Sequence, residues 1–222
     1  MYFDLHTHSF QNHNTNNLSV INIFPNKKDM CTLSPANYYS ICLHPKHINK
    51  NNLSESMAIM EKYASNKNII AIGEIGLDKN YPDFQKQNDI FEQLLKLSEK
   101  FNKPVIIHCV KSFSEILFYR KRYRKTPWLI HGFRGKPVLC SQLNSSDIYI
   151  SFDRHILNPT VSLLASIENI PIDKTLLETD ESSESIENIY KAFAKIKKIS
   201  VKKLCTNISK TVQNIFGENI VL

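Results

Sequence analysis

The sequence predicts an α/β protein whose parallel strands close into a (β/α) barrel, with reduced or irregular helices in the first third. Three observations carry this. Segments rich in β-branched and aromatic residues alternate with segments of helical period, the pattern of repeated βα units. Eight such strand segments occur in 222 residues, the number that closes a barrel. Hydrophobic residues make up 42% and charged residues 22% of the chain, enough apolar material for one sizeable core, so a single domain over residues 1–222 is expected.

The expected strands are Tyr2–Leu5, Leu18–Phe24, Tyr38–Leu43, Ile69–Glu74, Val105–His108, Trp128–His131, Ile148–Ser151 and Thr175–Glu178. Helical periodicity is clearest later in the chain. Asp83–Phe101 places Ile90, Phe91, Leu94, Leu95 and Leu97 on one broad face, with Asn102 and Pro104 marking its end. Ser112–Lys125 turns Phe113, Ile116 and Leu117 inward, and Ser185–Lys198 does so with Ile186, Ile189, Tyr190, Phe193 and Ile196. Ser200 is placed to cap a last helix that stops at Gly217. Two early connections read differently. Residues 11–17 are polar and rich in Asn, and the stretch between Phe24 and Tyr38 carries Pro and Lys without helical period. The barrel wall is expected to be thin there.

Several classes are excluded or disfavoured. Five cysteines in no C-x-x-C pair argue against a disulfide framework and against a cysteine zinc knuckle. No apolar run approaches the length of a membrane span. The first residues lead straight into a strand, so a cytoplasmic protein is expected. The formal charge of +7 favours a polyanionic partner such as nucleic acid. The oligomeric state is left open, a monomer included.

Chemistry gathers at the strand ends, which in such a barrel form the active face. Asp4, His6 and His8 share one face of the first strand, because strand side chains alternate, and two imidazoles so spaced can grip one divalent cation. His44 follows the third strand in Leu43-His44-Pro45. Glu74 follows the fourth in Gly73-Glu74-Ile75-Gly76-Leu77-Asp78. His108 ends the fifth, His131 the sixth in His131-Gly132-Phe133-Arg134-Gly135, and Asp180 follows the eighth in Leu177-Glu178-Thr179-Asp180. Histidines and carboxylates at successive strand ends converge on the barrel axis.

These motifs resemble the TatD family of metal-dependent deoxyribonucleases and related hydrolases over nearly the whole chain. The resemblance implies a TIM-type barrel with two divalent cations. It implies that His6, His8, Glu74 and Asp180 hold one and that Glu74, His108 and His131 hold the second, Glu74 bridging. His44 would stand beside the site. Two cations activate a water and neutralise charge building on a phosphodiester, so a phosphodiesterase, exonuclease-like on DNA, is the expected activity. Asp180 is expected to orient that water and take its proton, with Glu74 beside it in the catalytic set. Asp4 and Glu178 are candidates to hold ligand imidazoles by hydrogen bonds, Glu178 equally a strand residue pointing away. Nitrogen donors favour metals such as Zn²⁺ or Mn²⁺, whereas the nuclease reading goes with Mg²⁺ or Mn²⁺, which leaves the metal as a divalent ion.

The chain departs from the family at several places. An Asn-rich loop stands where the family has a helix after the first strand. Val110 and Lys111 replace an Arg-Asp pair, and Glu181-Ser182 replace an Ala-Pro turn after Asp180. Lys111 and Arg134 are the candidates to bind substrate phosphate in place of the missing arginine fork, with His44 nearby. Residues 111–136 carry eight Lys/Arg and one Glu. Five of these, Arg120, Lys121, Arg122, Arg124 and Lys125, fall toward a helix C-terminus, where they complement the dipole as solvated charges on the opposite rim. Tyr81, Phe133, Phe152 and His155 are candidates to stack on bases. Three rivals stand beside this reading. A PHP-type phosphoesterase shares the D-L-H-x-H-S start, but no histidine follows His155. An amidohydrolase of a small substrate and a decayed barrel that only binds are the others.

Overall fold

All eight expected strands are present, and seven end within two residues of their expected limits. The computed structural model describes residues 1–9, 17–26, 30, 33–48, 53–217 and 220. The strands are β1 (Tyr2–Thr7), β2 (Asn17–Ile23), β3 (Tyr38–Leu43), β4 (Ile69–Asp78), β5 (Val105–Val110), β6 (Trp128–Ile130), β7 (Ile148–Phe152) and β8 (Thr175–Leu177). They form one sheet in chain order. The pairs β1–β2, β3–β4, β4–β5 and β7–β8 are parallel. A further parallel bridge joins Thr7 to Asp180, just beyond β8. Parallel strands in chain order, the first meeting the last, define a TIM-type (β/α) barrel.

The chain divides into two compact units, Met1–Ile21 with Ile130–Leu222, and Asn22–Leu129. In the first unit, α4 (Pro137–Ser145), α5 (Val161–Asn169), α6 (Ile186–Ile196) and α7 (Val201–Phe216) accompany β1, β7 and β8. Thr160, Ser185 and Ser200 cap α5, α6 and α7 by accepting the amides of Leu163, Asn188 and Lys203. Tyr190 of α6 is fully buried. Its hydroxyl donates to the Phe3 carbonyl at 2.9 Å and accepts the Phe3 amide at 3.1 Å, which locks α6 to β1.

In the second unit, α1 (Leu53–Tyr63), α2 (Phe84–Phe101) and α3 (Phe113–Arg122) accompany β3, β4 and β5. Helix α2 buries Ile90, Phe91, Leu94, Leu95 and Leu97, the expected face. Each such side chain contributes roughly 1.5–3 kcal/mol by leaving water. Asn102 ends α2 in the left-handed conformation, with φ 53°.

Strand β4 is the exception in length, running four residues past Glu74 with every residue buried. Gly73 and Gly76 explain this. A Cβ at Gly73 would lie 2.5 Å from the Ile106 carbonyl, and one at Gly76 would lie 1.9 Å from that of His108. Only glycine lets β4 press against β5 there, so the two strands stay paired through Gly76 and His108.

Helices α1, α4 and α5 were not singled out in the sequence, where their apolar patterns are short. Residues 10–16 lie outside the described residues, and with them the Asn-rich loop expected to shape access. So do residues 27–29 and 31–32, including Cys31. Cys42, Cys109, Cys140 and Cys205 are free thiols. No helix among the described residues is long and apolar enough to cross a membrane.

Two expectations need correction. Arg120 is buried, not solvated. Its Nη1 donates to the carbonyls of Tyr123 and Thr126, and the guanidinium lies over the Trp128 ring at 5.3 Å. It ties α3 to the turn that follows it by satisfying two carbonyls beyond the last helical residue. Phe133 and Phe152 are core residues packed edge to face, 2% and 0% exposed, so neither is available to a base.

Candidate functional site

Each unit gathers histidines and a carboxylate at its strand ends. In the first unit, β1 delivers His6 and His8 on one face, two residues apart. Asp180 is brought to them by the backbone: its amide donates to the His6 carbonyl at 2.8 Å, and its carbonyl accepts the His8 amide at 3.3 Å. Its φ of 55° lies in the left-handed region, which costs a non-glycine residue about 1 kcal/mol or more. Asp180 Oδ1 consequently stands 3.6 Å from both His6 Nε2 and His8 Nε2. His6 is wholly buried, whereas His8 and Asp180 keep 23% and 29% of their side chains exposed.

His131, after β6, joins this unit by two contacts. Its ring lies 4.9 Å from the His6 ring, and its Nδ1 is 3.3 Å from Glu178 Oε1. Glu178 is fully buried, and its Oε1 also accepts the Gly132 amide at 2.7 Å. Burial pushes the Glu178 carboxyl above its ordinary range, and His131 partly offsets this. Of the two readings of Glu178, the structure has the one that holds an imidazole. Asp4 instead holds Thr179, accepting its amide at 3.0 Å and its hydroxyl at 2.6 Å. Burial raises Asp4 to about 7 against those hydrogen bonds.

In the second unit, Glu74 lies within β4, His108 near the end of β5 and His44 directly after β3. Glu74 Oε1 is 2.7 Å from His108 Nδ1 and 3.5 Å from His44 Nε2. The other nitrogen of His108 is 3.1 Å from Asp78 Oδ2. The sequence reading did not single out Asp78 as a partner of His108, although it closes the Gly-Glu-Ile-Gly-Leu-Asp run. The signal was its even spacing from Glu74 on one strand, which turns both carboxylates to the same face. Asn22 sets Glu74 from below: its Oδ1 accepts the Glu74 amide at 3.0 Å and the Ser40 hydroxyl at 3.1 Å. His44 is fixed by its other nitrogen, which accepts the Lys46 amide at 2.9 Å.

The donor atoms of His6, His8 and Asp180 lie within 4.8 Å of one another, as do those of His44, Glu74 and His108. Two donors about 2.1 Å from a shared tetrahedral cation stand roughly 3.4 Å apart. The 3.6 Å separations in the first group match that spacing. The second group has one pair at 3.5 Å and one at hydrogen-bond distance. Nitrogen with carboxylate oxygen is a donor set for a divalent transition metal.

The residues expected to meet substrate are held by local partners. Lys111 Nζ donates to Asn80 at 2.9 Å, and Arg134 Nη2 donates to Asp153 at 2.9 Å. The Tyr81 ring stands 5.9 Å from that of His44, edge on. The basic end of α3 is largely engaged: Arg122 pairs with Glu92, and Lys125 donates to Glu99 through both its amide and its Nζ.

A TIM-type barrel with histidine–carboxylate groups at its strand ends is an arrangement that suits a metal-dependent hydrolase. Comparison with known proteins gives the family. Residues 4–217 match the model of the TatD related DNases, and the chain belongs to that family. An "uncharacterized metal-dependent hydrolase" of Buchnera aphidicola is 29% identical over 185 residues, covering 78% of this chain and 70% of that protein. The "3'-5' ssDNA/RNA exonuclease TatD" of Erwinia tasmaniensis is 30% identical over 150 residues, 62% of this chain and 55% of that protein. The crystal structure of YjjV, a TatD homologue from Escherichia coli, shares the fold with a TM-score of 0.84 at 18% identity, covering 99% of this chain and 98% of that one.

Proposed function

We propose that this chain hydrolyses phosphodiester bonds in single-stranded nucleic acid, shortening it from an end. The observation that carries the reading is the pair of histidine–carboxylate groups, each with its donor atoms within 4.8 Å at the strand ends. The name of the Erwinia relative supports the substrate class. In this reading His6, His8 and Asp180 hold one divalent cation, and Glu74 and His108 hold a second, with His44 and His131 beside them. Mg²⁺, Mn²⁺ and Zn²⁺ are the ions to test.

A cation held by such donors would lower the pKa of a water and withdraw charge from a phosphate oxygen. The protein's own residues do the rest. Asp180 combines solvent access with a carboxylate, so it is the group that orients the attacking water and takes its proton. The wholly buried His6 holds its ring in one place while the chemistry proceeds. Asp78 and Glu178 fix the rings of His108 and His131 through the nitrogen atoms that face them. Lys111 and Arg134 supply positive charge for the phosphate backbone.

The test is the shortening of a labelled single-stranded oligodeoxynucleotide with Mn²⁺ or Mg²⁺ by wild type and by Glu74→Ala. Wild type is expected to shorten the strand, and the variant to be at least about 100-fold slower, since removing a ligand costs more than removing its hydrogen-bond partner. Equal rates would remove Glu74 from the mechanism. An inactive wild type that binds the metals would remove the nuclease reading.

A further inference from the structure

The carboxyl ends of β6 and β7 carry a second constellation within the first unit. Asp153 follows β7 directly and is 3% exposed at its side chain. Its Oδ1 accepts the His155 amide at 3.0 Å and lies 2.8 Å from His155 Nδ1. Its Oδ2 accepts Arg134 Nη2 at 2.9 Å. One buried carboxylate therefore anchors two outward groups, Arg134 at 55% and His155 at 36% side-chain exposure. Burial raises the Asp153 carboxyl, but the hydrogen bonds from His155 and the Arg134 charge outweigh this and hold it below the usual carboxylate range.

The constellation is contiguous with the metal-ligand candidates of the same unit. A Cβ at Gly132 would lie 3.7 Å from Glu178 Oε1 and 4.0 Å from Asp153 Oδ2. The two buried carboxylates thus flank one glycine, Glu178 serving His131 and Asp153 serving Arg134 and His155. The Phe133 amide donates to the Ser151 carbonyl at 3.0 Å, tying the two strand ends together. Lys136 and Arg154, both exposed, add positive charge close by in the chain.

We propose that Arg134 and His155, set by Asp153, form an anion subsite that takes a phosphate of the substrate strand next to the one being cleaved. The proposal rests on the nucleic-acid reading above and names which residues read the backbone. The chemistry follows from the donors. A guanidinium uses one edge on Asp153 and keeps its remaining N–H groups for a phosphate. Asp153 engages His155 Nδ1 and leaves Nε2 for a ligand, and Nε2 donates to a phosphate oxygen when the ring carries both protons. Both side chains are pre-set by the same anchor, so little rotamer freedom is lost when a phosphate arrives. Asp153 is a positioning residue and touches no substrate.

The test separates this subsite from cleavage. A fluorescein-labelled single-stranded oligodeoxynucleotide is titrated with protein in EDTA, and binding is read by anisotropy. R134A/H155A is expected to weaken binding about tenfold or more, the effect of losing charge-assisted hydrogen bonds. R134K, which keeps the charge without the fork, is expected to fall between. An oligomer with uncharged methylphosphonate linkages should bind wild type more weakly than the ordinary oligomer does, and the double variant should discriminate about tenfold less between the two, keeping only what Lys111 and the other cations contribute. A merely structural role for the cluster would not produce that loss of discrimination. If the double variant binds and discriminates as wild type does, the subsite is refuted. If wild type binds no oligonucleotide, the melting temperature is read with inorganic phosphate. A phosphate-dependent rise in wild type that is absent in the double variant upholds an anion subsite and refutes the nucleic-acid reading. No rise in wild type refutes both.

Discussion

The two histidine–carboxylate groups are made of the same residue types and differ in what their members hold. In the first unit, Asp180 stands at equal distances of 3.6 Å from two imidazoles, and nearly a third of its side chain is exposed. In the second, His108 is clasped between Glu74 at 2.7 Å and Asp78 at 3.1 Å, and both carboxylates are under 8% exposed at the side chain. The first arrangement has metal-ligand spacing and a carboxylate open to water. The second is a closed hydrogen-bonded triad. A cation entering it has to compete with the contact between Glu74 and His108. The contrast teaches that ligand type alone does not assign a role. A carboxylate that must exchange protons with solvent is better served by the first environment, and one that must hold its geometry by the second.

The largest expected effect comes from breaking the open group. Asp180→Asn keeps the side chain's size and the backbone bonds to His6 and His8 but removes the charge. Cleavage of single-stranded DNA is expected to fall at least about 100-fold. In a calorimetric titration with Mn²⁺ one binding event should be lost while the other persists. Loss of both events would mean that the groups are not separable, and the contrast drawn above would fail. The next effect in size sharpens the closed group. Asp78→Asn leaves a partner for His108 but removes its charge. It should weaken the surviving Mn²⁺ event in an Asp180→Asn background by about 10–100-fold, the usual effect of losing a carboxylate behind a ligand imidazole. An unchanged isotherm would leave Asp78 as a strand-end residue fixed by Gln87, whose side chain accepts the Asp78 amide and donates to its carbonyl.

The same contrast shows what could be read from the sequence. His6 and His8 were legible because a strand puts alternate residues on one face, and Asp180 because it follows the last strand. The strands themselves were legible because β-branched runs bounded by turn residues are local signals. The grip of Glu74 and Asp78 on one imidazole was not. It depends on β4 continuing four residues past Glu74, which depends on two glycines meeting β5 carbonyls, a contact between strands about thirty residues apart. The buried Arg120 was misread for a related reason. A basic run at a helix end reads as solvated, and only the fold shows that one of its members caps carbonyls beneath Trp128. Asp153 was invisible because its partners, Arg134 and His155, lie on different strand ends.

The smallest effect tests whether the basic end of α3 is a nucleic-acid surface or a set of structural ties. Glu92 accepts Arg122 Nη2 at 2.9 Å and the Tyr123 hydroxyl at 2.7 Å. The Tyr123 hydroxyl, and then Lys96 and Arg122, hold the Glu92 carboxyl below its ordinary value of 4.5. A carboxyl depressed in the folded state contributes stability above its unfolded pKa and loses it as pH falls through the lower folded value. Glu92→Gln should therefore destabilise the protein by less than about 1 kcal/mol near neutrality, in keeping with a partly exposed ion pair. The difference from wild type should vanish on acidification below 4.5, read as the midpoint of urea unfolding. If the basic residues instead serve the substrate, the variant should leave the midpoint unmoved and tighten oligonucleotide binding in EDTA, because freeing Arg122 adds a cation to the surface. Tighter binding at equal stability would move the nucleic-acid surface to this helix end and away from Arg134 and His155.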